Sequence, residues 1–196
     1  MLLPIIAYGD PVLRQVARPI TPEYPDLSQL IANMLETMYA AHGVGLAAPQ
    51  IGLSIRLFVI DSSPMFDDED GNPPPPDAEQ GIRRVFINAE MLQNTGKVWA
   101  YTEGCLSIPQ VREDVKRPSD IVIRYYDEQF NLREEAFSGM TARVIQHEYD
   151  HIEGKLFIDY LSPLKNRLLQ RRLERITQGD VSVKYKMRFP PQPRKR

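Results

Sequence analysis

"SGMTARVIQHEYDHI", residues 138–152, decides how the whole chain is read. The segment reads as a helix. On a helix, residues four apart share one face, with Cβ atoms roughly 6 Å apart. His147 and His151 therefore aim two imidazoles at a common point, and Glu148 sits one position round from them. His-Glu-x-x-His is a metal-binding pattern in which the glutamate serves as general base rather than as ligand. The plainer alternative is two histidines on a helix by chance, but the chain has only three histidines in all. A catalytic metal takes three protein ligands and keeps a fourth position open. The segment supplies two, so a third must come from elsewhere.

Outward from this helix the pattern is that of one α+β domain. Mainly antiparallel strands are expected to pack around the central metal-binding helix, with a helix near each end. Residues 26–41 repeat apolar side chains at helical spacing: Leu27, Leu30, Ile31, Met34, Leu35 and Met38. "GVGLAAPQIG" (43–52) follows, and its glycines and Pro49 argue against any regular element. "IRLFVID" (55–61) and "RVFINAE" (84–90) read as buried strands. The acidic, proline-rich stretch at about 62–83 between them reads as a solvated excursion. "IVIRYYD" and "LREEAFS" flank "EQFN" as a hairpin. A third helix begins at Ser162 and Pro163, stops at Gly179, and carries the stripe Leu164, Leu168, Leu169, Leu173 and Ile176. "VSVKYKM" (181–187) alternates like an edge strand, and the basic, proline-rich end has nothing to bury. The expected division is a catalytic domain over 1–178, including the insertion, and a C-terminal strand and basic tail over 179–196.

Bulk properties exclude several classes. A net charge of −2 gives no field for gripping nucleic acid or an anionic membrane. No apolar run reaches the ~18 residues of a membrane span. The N-terminus lacks a basic n-region and carries Asp10, so it does not read as a signal peptide. A cytoplasmic location is expected. "GVGLAA" resembles a dinucleotide fingerprint, but it follows a helix and meets Pro49 rather than opening one. "DDEDGNPPPPD" resembles a calcium loop, but Phe66 would hold the first ligand position.

Three residues compete to be the third ligand, and a fourth position is excluded. A metzincin would need histidine at 157, where the chain has Phe157. Glu174 sits among Arg171, Arg172 and Arg175, a setting that favours a solvated ion pair. His42 ends the first helix and reads as a surface histidine. Cys105 is the single cysteine. A lone cysteine is most often buried filler, but this one follows Gly104, which lets backbone approach closely, and precedes a short strand-like run. A thiolate with two imidazoles is a known catalytic set.

"GVGLAAPQIG", "EGCLSIP" and "QHEYDHIEG" together resemble the peptide deformylase family, whose motifs are G-x-G-[LIV]-A-A-x-Q, E-G-C-L-S and Q-H-E-x-D-H. The resemblance covers nearly all of residues 1–178. The insertion at 62–83 and the ending after the third helix depart from more compact members. The resemblance implies a hydrolase that removes the N-formyl group from the formylmethionine of newly made polypeptides. It implies one divalent metal ion on Cys105, His147 and His151. Ferrous iron (Fe2+) is expected, and the ligands also suit zinc, nickel and cobalt. Glu148 would be the general base, with the Gln50 amide and the Leu106 N–H as oxyanion donors. Gly43 and Gly45 would leave room for a peptide backbone. Val44 and Glu103 match family pocket positions, and Gly104 lies beside them. Arg143 and Val144 precede His147 by four and three residues and share its face. Glu103 has a second reading, as a buried glutamate tied to an arginine such as Arg112. Expected partners are N-formylmethionyl peptides, with transient ribosome contact, no membrane and no specific nucleic acid.

Overall fold

A computed structural model describes residues 1–67, 74 and 80–191. Much of the 62–83 insertion, most of the run compared with a calcium loop, and residues 192–196 of the basic tail lie outside the described residues.

The short segment "LFVID" organises the body. It forms β3 (Leu57–Asp61), the second strand of a five-stranded sheet. Alternate side chains of a strand point to opposite faces. Leu57 and Val59 therefore enter one core and Phe58 and Ile60 another, and all four are fully buried. Helix α1 (Leu27–Ala40) covers the first face with Ile31, Met34, Leu35 and Met38. Helix α2 (Gly139–Ile152) covers the second with Ala142, Ile145 and Ile152, over the stacked rings of Phe58 and Phe86, 4.6 Å apart. The helix carrying the metal pattern is thus the central packing element, as its position in the sequence reading requires.

The sheet runs β2 (Gly45–Ala47), β3, β4 (Arg83–Cys105), β5 (Ile108–Tyr126), β6 (Leu132–Ser138), and every pair is antiparallel. Two strand readings are corrected. Gly45–Ala47 forms a three-residue edge strand despite its glycine, because β3 supplies a pairing partner. Strand β4 continues to Cys105 rather than ending near Glu90. Beyond Gln93 the β4 strand is largely exposed, so no apolar alternation marks it, and register shifts interrupt its pairing with β5. The hairpin between β5 and β6 is present, with Tyr126 opposite Leu132.

Helix α3 (Pro163–Thr177) is capped by Ser162, whose hydroxyl accepts from Lys165 N–H at 3.3 Å. Its stripe is narrower than expected. Leu169, Leu173 and Ile176 are buried against Val111, Val115 and Phe157, while Leu164 and Leu168 are 68% and 73% exposed. The buried three sit at i, i+4 and i+7, and Leu168 is turned roughly 100° away from Leu169. The 181–187 strand is also corrected: only β7 (Met187–Arg188) is paired, in parallel with β1 (Ile5–Ile6). The alternation survives as burial, with Val181, Val183, Tyr185 and Met187 half-buried and Ser182, Lys184 and Lys186 exposed. Among the described residues, no helix is long and apolar enough to cross a membrane.

Candidate active site

Cys105 ends β4, and His147 and His151 lie one turn apart on α2. Packing α2 across the sheet brings the three together. Their ligand atoms all lie within 4.8 Å of one another, with Cys105 Sγ 3.3 Å from His151 Nε2. No other such group occurs among the described residues. His42 is exposed and Glu174 is exposed, and neither belongs to it. The donor set fits a divalent transition metal: soft sulfur, two imidazoles and room for a fourth ligand. A second feature supports the fit. Glu103 Oε2 lies 3.0 Å from His147 Nδ1, which donates to it. That bond fixes the tautomer and leaves the Nε2 lone pair for a metal.

Glu103 is the hub of a buried charge network. Its carboxylate accepts from Arg117 Nε at 2.7 Å and Nη2 at 3.0 Å, and from Arg143 Nη1 at 3.0 Å. Arg117 Nη1 donates to Asp150 at 2.7 Å, and the Tyr160 hydroxyl donates to the other Asp150 oxygen. Arg117 also stacks 4.7 Å from the Tyr160 ring centroid. Burial alone would raise the Glu103 pKa, but hydrogen bonds from His147 and Arg117 outweigh it and hold it well below the usual carboxylate range. Burial likewise works against the Arg117 charge, and Glu103 and Asp150 reverse that effect. The arginine partners of Glu103 are therefore Arg117 and Arg143, not Arg112. Arg117 and Asp150 escaped the sequence reading. Asp150 stood inside the quoted helix motif, but nothing local tied it to Arg117.

Arg143 is also spent on structure. It donates to the carbonyls of Val115 and Trp99, and its guanidinium lies 4.3 Å from the Trp99 ring centroid. Val144 is buried at the cavity wall, and Val44 is half-buried opposite the same space.

Glu148 is 4% exposed, and its Oε2 has no hydrogen-bond partner among the described residues. Burial pushes its pKa up to about 7, partly offset by the neighbouring His147 charge. A bound cation would act in the opposite sense. Gly45 makes this position possible: a Cβ there would meet Glu148 Oε1 at 2.3 Å. The space expected to receive a peptide at Gly45 is taken by the glutamate itself. At Gly43 a Cβ would stand 2.8 Å from Leu106 Cδ1. Gly104 is exposed on the ribbon opposite Arg112.

Gln50 is anchored by its own chain. Its Oε1 accepts from Ala47 N–H at 2.8 Å, which turns Nε2 towards Cys105 Sγ and Ser107 Oγ, each 3.4 Å away. Leu106 and Ser107 form the two-residue turn between Cys105 and Ile108. All of the sequence-predicted site residues except His151 line a cavity of about 540 Å³. His151 lies behind it, fully buried, with Nδ1 unpartnered among the described residues. The arrangement offers a ligand set for a metal beside the cavity, a poised carboxyl, and an amide donor, which is the equipment for hydrolysing an acyl group.

A family model described as polypeptide deformylase matches residues 2–167. A peptide deformylase of Christiangramia forsetii is 56% identical over 190 residues, covering 97% of each chain. One of Salinibacter ruber is 46% identical over 187 residues, covering 94% of this chain and 93% of the relative. The crystal structure of a peptide deformylase from Legionella pneumophila superposes with a TM-score of 0.75 at 36% identity, covering 92% of this chain and 98% of that one. That of the Thermotoga maritima enzyme gives 0.70 at 37% identity, covering 83% and 99%.

Proposed function

The chain belongs to the polypeptide deformylase family, and from that premise we propose how its residues divide the reaction. It is an enzyme, a hydrolase that removes the N-formyl group from newly made polypeptides, and its family is metal-dependent. The observation carrying the assignment of roles is the convergence of Cys105, His147 and His151 beside the cavity that Glu148 and Gln50 line.

Cys105, His147 and His151 hold one divalent ion, which we assign as ferrous iron; zinc, nickel and cobalt are the other ions that this donor set suits. When bound, the ion supplies Lewis acidity and brings the pKa of a water from ~15.7 towards 7. Glu148 would take a proton from the attacking water and pass one to the leaving amine. A buried carboxyl whose Oε2 has no hydrogen-bond partner among the described residues is suited to both transfers. The Gln50 amide and the Leu106 N–H face the formyl oxygen as it gains charge. Losing one such donor typically costs roughly 3–4 kcal/mol.

The substrate lies along β2, whose outer edge is open because β2 is the edge strand of its sheet. An extended peptide can pair there with the backbone of residues 43–45, which line the cavity, while the side-chain position of Gly45 stays filled by Glu148. Val44, Val144 and the Arg143 stem enclose the methionine side chain. Glu103 acts through His147, and Gly104 borders the peptide's path. Residues 1–178 carry all these groups and are taken as the catalytic domain. The substrate arises at the ribosome, so the protein acts in the cytoplasm, with transient ribosome contact. It has no membrane or specific nucleic-acid partner, in keeping with its charge of −2.

The test is formate release from a short formyl-methionyl peptide, with the protein purified without oxygen and loaded separately with iron, nickel and zinc. Rapid release is expected, and Glu148→Ala should lower it by about 10²–10⁴-fold with metal still bound. No release with any of the metals, at one bound ion per chain, would remove the deformylase assignment.

A further inference from the structure

After α3 the chain turns back across the body. Gly179, with φ of +79°, ends the helix, and Asp180 N–H donates to the Arg175 carbonyl at 2.9 Å. At the far end, Ile5 and Ala7 N–H groups donate to the Lys186 and Arg188 carbonyls, each at 2.9 Å. The segment between is tied down twice more. Gln110 Nε2 donates to the Ser182 carbonyl at 3.0 Å, and the Tyr185 hydroxyl donates to the Leu106 carbonyl at 2.8 Å. Residues 182–185 line the same cavity as Glu148 and Gln50. Residues after 178 are therefore part of the site's wall.

The Tyr185 bond falls at a consequential place. Leu106 and Ser107 are the only residues between Cys105 and Ile108, which pair across the turn. Ser107 is held directly: its carbonyl accepts from Tyr8 N–H at 2.8 Å, and its hydroxyl lies 3.4 Å from Gln50 Nε2. Leu106 has its side chain against Gly43 and its carbonyl on Tyr185. The Leu106 N–H lies in the planar peptide unit shared with Cys105, so Cys105 ψ and Leu106 φ set its direction. With Cys105 at the end of β4, holding the Leu106 carbonyl restricts the rotation about the Leu106 Cα that would swing that N–H away. The Tyr185 ring packs into the α1 core, so the hydroxyl is presented from a rigid base.

We propose that Tyr185 is a positioning residue of the deformylase site: its hydroxyl pins the Leu106 carbonyl and thereby aims the Leu106 N–H at the reacting carbonyl oxygen. This rests on the oxyanion role given above to that N–H. It makes the segment 180–188 part of the catalytic apparatus, although it supplies no group that touches substrate chemistry.

Tyr185→Phe removes the hydroxyl and keeps the ring. Two readouts decide the matter: steady-state formate release by the metal-loaded protein, and amide hydrogen exchange across residues 105–108. The expected result is a kcat lower by about five- to twentyfold, KM within about twofold, and unchanged metal content, the scale of one lost ordering hydrogen bond. Exchange in the turn should quicken by about threefold or more. A kcat equal to that of the unaltered protein overturns the proposal. So does a rise in KM with kcat intact, which would make Tyr185 only a wall. A lower kcat without faster exchange overturns it too, because the effect would not run through the turn. An unaltered protein that released no formate would instead sink the deformylase reading, and any role for this N–H with it.

Discussion

A Cβ placed on Gly45 would lie 2.3 Å from Glu148 Oε1 and 2.7 Å from its Cγ. The edge strand is held by its pairing with β3, so the carboxylate must yield, and the open space beside it is the cavity that receives the substrate. Gly45→Ala must therefore displace the proposed base, and a displacement of about 1 Å at a reacting group costs about 10²-fold in rate. The expected outcome is that loss in kcat with one metal still bound per chain, read by formate release alongside metal analysis. A Gly45→Ala protein with unaltered kcat would show that the glutamate can relax without harm. Metal content should be unchanged, since the three atoms nearest the added Cβ all belong to Glu148 and not to a metal ligand.

Helix α3 shows how far periodicity can be trusted at the scale of an element. Its five leucine and isoleucine positions read as one stripe, but only Leu169, Leu173 and Ile176 reach the core. Leu173→Ala should cost ~2–5 kcal/mol, the usual range for a buried leucine. Leu168→Ala should change stability by less than ~0.5 kcal/mol, because the side chain is already in water. Urea unfolding of the two variants separates them. Equal effects would mean that Leu168 is covered in solution. The β4–β5 ribbon makes the converse point. Its β4 strand has no apolar alternation beyond Gln93, so the length of that strand was invisible until pairing revealed it.

Across the whole molecule, Glu103, Arg117 and Asp150 join β4, β5 and α2 through buried ion pairs. The depressed pKa of Glu103 links this junction to pH. A carboxylate with a lowered folded-state pKa contributes stability that is fully present above its unfolded value. That stability is lost as pH falls towards the folded value. Unfolding free energy should therefore decline on acidification below about pH 5. Glu103→Gln should be less stable at neutral pH and should show a shallower decline. Urea midpoints of both proteins from neutral to acid test this, and parallel curves would mean that Glu103 does not carry the linkage.

What was legible without tertiary structure was local chemistry. The spacing of His147 and His151 puts them on one helical face wherever that helix packs, because 3.6 residues make a turn. "LFVID" announced a doubly buried strand by composition alone. Cys105 stood out as the only thiol, and the motifs around it carried the family. Distance decided the rest. Glu103 pairs opposite Glu113 across the ribbon, so it shares a face with Val115 and Arg117, while Arg112 stands opposite Gly104. Strand alternation places Arg112 on the other face, and only the register between two strands could say so. Likewise, Tyr185 reaches Leu106 across 79 positions of sequence, and Gly45 makes room for Glu148, which arrives from another element. Such contacts depend on how elements dock, and no short window of sequence contains both partners.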